Sequence, residues 1–396
     1  MKSERLSKIN LSPTINIAAT AIMMKRQHID VVDLSVGEPD FPTPRHIKDA
    51  AKKAIDEDQT KYTMNQGMYE LREAITKRIL EDQGVRFRPE EIIVSNGAKQ
   101  SLLNIIMAVA DRGDKVLVPA PYWVSYPEMV RLAGGKPVII NTRESDGFKL
   151  TPSQLRSSTV DNCRALILCN PSNPTGMVYS RDEIQALAEI IGKKGLIVIA
   201  DEIYEKLVYD GFRFSSLAAV SDTMKKRTVI INGVSKAYAM TGWRIGYAAG
   251  AEKIIENANI IQSHSTSSAP TISQFASLAA FSGPQTEIER MRSEFEKRRN
   301  YVYQKVKQID GLNCLKPEGA FYVFPNVSRF YGRKFGDKTI RNSYDLAYYL
   351  LEKAYVATVP GAAFGCDDNI RISYASSMEN LERGMERITG ALGNLR

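Results

Sequence analysis

One lysine of this chain has neighbours that would change its chemistry. It lies in Ser235-Lys236-Ala237-Tyr238-Ala239-Met240-Thr241-Gly242-Trp243-Arg244-Ile245-Gly246-Tyr247, shortly after an apolar run at 228–231. Small and apolar surroundings strip water from an ammonium, lower its pKa and make it an amine able to form a Schiff base. Arg244 adds a planar fork that can hold an anion at two points. A lone lysine is ordinarily a surface group, so the context carries the argument.

Three further blocks have the composition of a site at a sheet edge. Asn170-Pro171-Ser172-Asn173-Pro174-Thr175-Gly176 follows an apolar run at 165–169. Its prolines and glycine make a stiff turn at a strand's C-terminal end, where α/β folds bind ligands. Asn173 could hold its amide in one direction there, although a purely structural turn reads equally well. Ala200-Asp201-Glu202-Ile203-Tyr204 ends another such run. Its carboxylate belongs at the carboxyl edge of the sheet, with a helix N-cap as the ordinary alternative. Ser95-Asn96-Gly97-Ala98-Lys99-Gln100 follows Ile92-Ile93-Val94 and opens an apolar helix. Small residues at a helix start leave backbone N–H groups free for a phosphate, but a plain helix cap looks the same. It is no P-loop, because no Gly-Lys-Ser/Thr follows a spaced glycine.

The elements that must position these blocks are apolar runs at 115–118, 137–140, 165–169, 196–200, 228–231 and 245–249. They are rich in Val, Ile and Leu with little polar alternation, as in strands covered on both faces. Helical stretches such as 181–192 separate most of them. The pattern predicts an α/β fold with a mainly parallel sheet. After Ser282-Gly283-Pro284 the character changes to a long charged helix over about 286–309, short strands at 321–324 and 370–374, and a final helix. This predicts a large domain at 48–284, and a smaller α+β domain built from 1–47 and 285–396. The apolar stretch at 15–24 is followed by Lys25-Arg26 without a convincing cleavage site, and reads as a helix of the mature chain rather than a signal peptide.

The 396 residues exceed one ordinary core, and 43% hydrophobic with 25% charged residues is globular composition. No apolar run reaches the roughly 20 residues that span a membrane. The formal charge of +8 is mild and its basic residues scattered; short runs such as Lys297-Arg298-Arg299 read as solvated helix faces, not a nucleic-acid surface. The sign suits anionic small molecules. Three histidines and four cysteines without metal-ligand or disulfide spacing imply no metal and a reducing cytoplasm.

Taken in order, these blocks resemble class I and II aminotransferases, the aspartate aminotransferase family of fold-type I pyridoxal-phosphate enzymes. The resemblance spans nearly the whole chain. It includes Ser35-Val36-Gly37-Glu38-Pro39-Asp40, Lys61-Tyr62, Pro121-Tyr122-Trp123 and Arg371-Ile372-Ser373-Tyr374. It is strongest to the bacterial subgroup with Tyr-Trp-Val-Ser-Tyr-Pro and Gly-x-Lys-Gln motifs.

The resemblance implies pyridoxal 5'-phosphate as cofactor, held covalently by Lys236, whose freed amine then serves as the base. It implies that Asp201 pairs with the ring nitrogen, that Asn173 and Tyr204 bond the ring hydroxyl, and that Trp123 stacks on the ring. Gly97, Ala98, Lys99, Ser235 and Arg244 would bind the phosphate, with Tyr62 reaching the phosphate of a neighbouring subunit. Arg371, helped by the N–H of Gly37, would grip the substrate α-carboxylate. Trp123 and Asn173 would also border the substrate. The segment 263–269, which includes His264, would approach the partner's site in a homodimer. Lys99 would meet a second carboxylate, giving aspartate with 2-oxoglutarate as substrates. The alternatives are aromatic amino acids, alanine, kynurenine, prephenate or a lyase reaction on the same fold. Asn10-Leu11 stands where prephenate-using relatives carry a basic residue before Ser-x-Thr, which argues against prephenate. A ligand-sensing regulator would need an added DNA-binding domain, for which the N-terminal segment is too short.

Overall fold

The computed structural model describes residues 4–7, 9, 13–159 and 161–396. Asn10, Leu11 and Ser12, on which the prephenate argument rests, lie outside the described residues.

The apolar runs form one seven-stranded sheet. Its strands are β1 (Ile92–Ser95), β2 (Lys115–Ala120), β3 (Lys136–Asn141), β4 (Cys163–Cys169), β5 (Ile197–Asp201), β6 (Thr228–Gly233) and β7 (Gly246–Ala249). Their spatial order is β1-β7-β6-β5-β4-β2-β3. Strands β2 to β6 pair in parallel, and β7 runs against both of its neighbours.

Alternate residues of the same strand enter different cores, as the strand period requires. Ile92 and Val94 pack with Ile47, Leu71 and Ile75 on one face, while Ile93 packs with Leu102, Ile105 and Ile106 on the other. Both faces are apolar because both are covered. The edge strand β3 departs from that expectation: only Ile140 is buried in it. The helix Arg181–Lys194 shows how local sequence sets its ends. Ser180 and Glu183 form a capping box at its start, and Gly195 closes it in the left-handed conformation at φ 71°.

A three-stranded antiparallel sheet in the order Val359–Pro360, Ile370–Ser373, Tyr322–Val323 lies on the long helix Thr286–Gln308. Val32–Asp33 pairs in parallel with Val356–Ala357, and Ile17 and Ala21 of the helix Pro13–Arg26 pack on Ala347 and Leu351. The N-terminal segment therefore joins the C-terminal layer. One expectation fails on the long helix. Arg298 and Arg299 are not part of a solvated face: they are 6% and 0% exposed. Arg298 pairs with Asp40 at 2.7 Å, and Arg299 pairs with Asp210 at 2.9 Å and donates to the Pro317 carbonyl at 2.6 Å. These partners offset the desolvation that makes unpaired buried charge costly.

Candidate active site

The register of the sheet brings two of the sequence blocks to one edge. Cys169, the last residue of β4, lies opposite Asp201, the last residue of β5. The chain leaves β4 into the turn carrying Asn173, and leaves β5 into Glu202-Ile203-Tyr204. A cavity of about 500 Å³ opens there. Its walls include Gly37, Ala98, Lys99, Trp123, Asn173, Asp201, Tyr204, Ser235, Lys236, Arg244 and Arg371. Nearly every residue singled out from the sequence thus converges on one space. Tyr62 does not: it is 91% exposed and does not line its own chain's cavity.

Lys236 is buried, and its Nζ donates to the Gly37 carbonyl at 2.5 Å. Burial depresses its pKa to about 8; Glu38 and Asp201 oppose that shift, and Arg371 and Arg244 reinforce it. Asp201 is held upward at about 6 by burial, against the hydroxyl of Tyr126, the Ile203 amide and Lys236, which favour its ionised form. Tyr126 donates to Asp201 Oδ2 at 2.5 Å, and the Ile203 N–H reaches Oδ1 at 3.4 Å. Cys169 borders the same floor, and burial pushes its thiol up to about 12, so it remains protonated.

The opposite wall comes from the C-terminal layer. Arg371 donates from Nη1 to Asn173 Oδ1 at 3.0 Å and from Nη2 to the Ser35 carbonyl at 2.7 Å. Its guanidinium carbon lies 4.4 Å from the centre of the Tyr322 ring and 5.1 Å from that of Phe364. Its Nε is buried without a partner. Tyr204 and Tyr322 share a hydrogen bond of 2.8 Å between their hydroxyls. The Asn173 amide oxygen is therefore taken by Arg371, which leaves its NH₂ as the donor.

At the third corner Gly97 adopts φ 87° as the N-cap of the helix Ala98–Val109. The N–H groups of Ala98 and Lys99 begin that helix and have no carbonyl one turn back to bond. A Cβ on Gly97 would collide with the Arg244 guanidinium, so glycine lets that guanidinium pack directly against the helix start. Arg244 donates to the carbonyls of Thr241 at 2.9 Å and Asn96 at 3.4 Å. The Lys99 ammonium stands 4.9 Å from the centre of the Trp123 ring, and burial followed by the charge of Arg244 lowers its pKa. Among the described residues, none of Lys99, Lys236, Arg244 and Arg371 forms an ion pair with a carboxylate, although all four face one cavity. Such an arrangement is built to receive anionic groups.

Sequence reasoning missed Tyr126, Tyr322 and Glu38. Tyr126 follows Trp123 by three residues where the helix Ser125–Leu132 begins, and their rings meet edge to face at 5.5 Å. Tyr322 sits in Phe321-Tyr322-Val323-Phe324, where strand alternation hides a polar tip among core aromatics. Glu38 accepts from Thr241 Oγ1 at 2.7 Å, a contact across the chain that no local pattern signals. Among the described residues there is no cluster of His, Cys, Asp and Glu fit to hold a metal ion, and no helix long and apolar enough to cross a membrane.

A family model for aminotransferase class I and II matches residues 29–388, and the chain belongs to that family. The aspartate aminotransferase of Geobacillus stearothermophilus is 47% identical over 386 residues, covering 98% of this chain and 97% of that protein. The aspartate/prephenate aminotransferase of Nitrosomonas europaea is 44% identical over 393 residues, covering 98% of this chain and 99% of that protein. The crystal structure of the aspartate aminotransferase of Rhizobium meliloti superposes with a TM-score of 0.97 at 43% identity, covering all of both chains. The α/β fold and the aminotransferase class expected from the sequence both hold.

Proposed function

We propose that this chain is a pyridoxal-phosphate-dependent aspartate aminotransferase, moving the amino group of L-aspartate to 2-oxoglutarate. The observation that carries the reading is the convergence of Asp201 on one cavity with Lys99, Lys236, Arg244 and Arg371, none of which pairs with a carboxylate among the described residues. The residues fit the cofactor on features of their own: unbonded N–H groups at the helix start beside the Arg244 guanidinium for a phosphate, a buried carboxylate at Asp201 for a ring nitrogen, and a desolvated amine at Lys236. When bound, the cofactor supplies an aldehyde for amines and a ring that accepts electrons from the substrate Cα.

The remaining work falls to the chain. The helix start at Ala98 and Lys99, with Ser235 and Arg244, binds phosphate. Asp201 holds the proton on the ring nitrogen through a charge-assisted hydrogen bond in a dry site. Asn173 and Tyr204 orient the ring hydroxyl, and Trp123 covers the ring face. Arg371 fixes the α-carboxylate, helped by the Gly37 N–H. Lys236 Nζ would take the proton from the substrate Cα and, as the acid in turn, return it two atoms further along, beyond the substrate nitrogen. An amine depressed to about 8 is matched to that task at neutral pH. Lys99 meets the distal carboxylate and so selects dicarboxylic substrates. All three relatives above carry aspartate in their names, in support of this choice.

The active species is proposed to be a cytoplasmic homodimer. Tyr62, Met64 and Ile260 are exposed, and Asn65 Nδ2 donates to the Asn259 carbonyl at 3.0 Å, which puts that loop beside the helix Glu252–Ser263. An apolar outer surface of this kind suits a two-fold partner, whose site Tyr62 and 263–269 would complete. The division into 48–284 and 1–47 with 285–396 is likewise proposed. Mixing the cofactor-loaded enzyme with single amino acids, while following cofactor absorbance, tests the substrate assignment. Aspartate and glutamate should convert the cofactor fastest; a clear preference for phenylalanine or alanine would overturn it. Prephenate, named for the Nitrosomonas relative, is tested as an acceptor in the same assay.

A further inference from the structure

Tyr126 has no part in the scheme above, yet it makes the shortest contact to Asp201. It is 2% exposed and packs with Val116, Val118 and Ile167 beneath Trp123. A phenylalanine would fill that space. The hydroxyl adds one thing, a hydrogen bond of 2.5 Å to Asp201 Oδ2. The carboxylate's other oxygen receives only the longer Ile203 amide contact of 3.4 Å. A buried carboxylate needs donors to remain charged and to keep its direction.

We propose that Tyr126 is a positioning residue for the reaction: its hydroxyl keeps Asp201 ionised and aimed, and through Asp201 keeps the cofactor's ring nitrogen protonated. The inference rests on the reading that Asp201 faces that nitrogen. Lys236, Cys169, Glu202 and Tyr126 are the titratable groups around the carboxylate. Of these, Tyr126 alone donates a side-chain hydrogen bond to it among the described residues. Without that donor Asp201 becomes the more basic partner. The shared proton then moves from the ring nitrogen to the carboxyl, and the ring draws electrons less strongly.

The test loads wild type, Tyr126→Phe and Asp201→Asn with pyridoxal phosphate carrying ¹⁵N in the ring. The nitrogen resonance is followed against pH, which reads protonation and not turnover. Loss of the tyrosine hydroxyl should favour the carboxyl over the nitrogen for the shared proton by about ten- to a hundredfold, the equivalent of a charged hydrogen bond, and so move the nitrogen resonance toward its unprotonated position at neutral pH. The half-reaction should slow roughly ten- to a hundredfold for every amino donor. A Tyr126→Phe nitrogen resonance equal to wild type at neutral pH overturns the inference, while the role of Asp201 stands if Asp201→Asn loses the proton. If Asp201→Asn also keeps it, the reading beneath falls and takes the inference with it. Should Tyr126→Phe fail to fold, 3-fluorotyrosine at position 126 decides. This stronger donor of nearly equal size should stabilise the carboxylate left when the nitrogen loses its proton and so lower the pH of that loss, and an unmoved midpoint overturns the proposal.

Discussion

Arg371 and Asn173 are bonded to each other across the cavity at 3.0 Å, which ties a strand of the C-terminal sheet to the turn after β4. The guanidinium spends its two terminal nitrogens on Asn173 and Ser35 and leaves Nε buried without a partner. An unsatisfied donor in a dry site is costly, and an incoming carboxylate would relieve it.

Arg371→Lys should therefore weaken every substrate. A lysine keeps the charge but loses the fork and its stacking on Tyr322. We expect KM to rise roughly ten- to a hundredfold for aspartate, glutamate and alanine alike. Half-reaction kinetics with the three donors check this. A loss confined to the dicarboxylic pair would move Arg371 to the distal carboxylate.

Lys99 should behave in the opposite way. Its ammonium lies over Trp123 at the cavity wall. With cofactor saturating, Lys99→Ala should lower kcat/KM for aspartate and glutamate by about one to two decades, corresponding to about 1.5–3 kcal/mol. Alanine and phenylalanine should change far less. An equal fall for all donors would make Lys99 a phosphate ligand only.

Recombination of the cofactor-free protein with pyridoxal phosphate should depend on pH through Lys236. Its pKa is lowered from 10.5 to about 8, so the reactive neutral amine fills in as pH rises to that value. Stopped-flow absorbance should show the rate climbing and then levelling near pH 8. A rate that keeps climbing into the ordinary lysine range would mean the amine is solvated.

A second buried carboxyl lies beside the site. Glu202 accepts from Ser216 at 2.6 Å and from Gln83 at 3.0 Å, and Gln83 also donates to Glu205. Burial, with the charge of Glu205 adding to it, raises Glu202 from 4.5 to about 8. Between those values the folded state holds a proton that the unfolded chain releases. The contribution of Glu202 is thus complete below about pH 4.5 and is lost as pH rises through about 8. Glu202→Gln should flatten that decline in urea unfolding curves measured across the window. A variant with the wild-type slope would show that Glu202 titrates normally.

The parts legible in the sequence were those where chemistry and punctuation coincide. Asn173, Asp201 and Lys236 each follow an apolar run, and a strand end of that kind can be found without a structure. Residues that act across the fold were not legible. Tyr126 and Tyr322 look like core aromatics until the fold shows what their hydroxyls touch. Arg298 and Arg299 look solvated until Asp40 and Asp210 arrive from distant segments. The strand Val359–Pro360 is too short to show a period, and the outward face of β3 follows from its place at the sheet edge, which only topology decides.

The central claim is that Lys236 carries the cofactor in this cavity. Borohydride reduction of the loaded protein followed by peptide mass spectrometry tests it most directly. The account predicts a pyridoxyl group on Lys236, absent after Lys236→Ala. A label on Lys99 or any other lysine, with Lys236 unmodified, would contradict it.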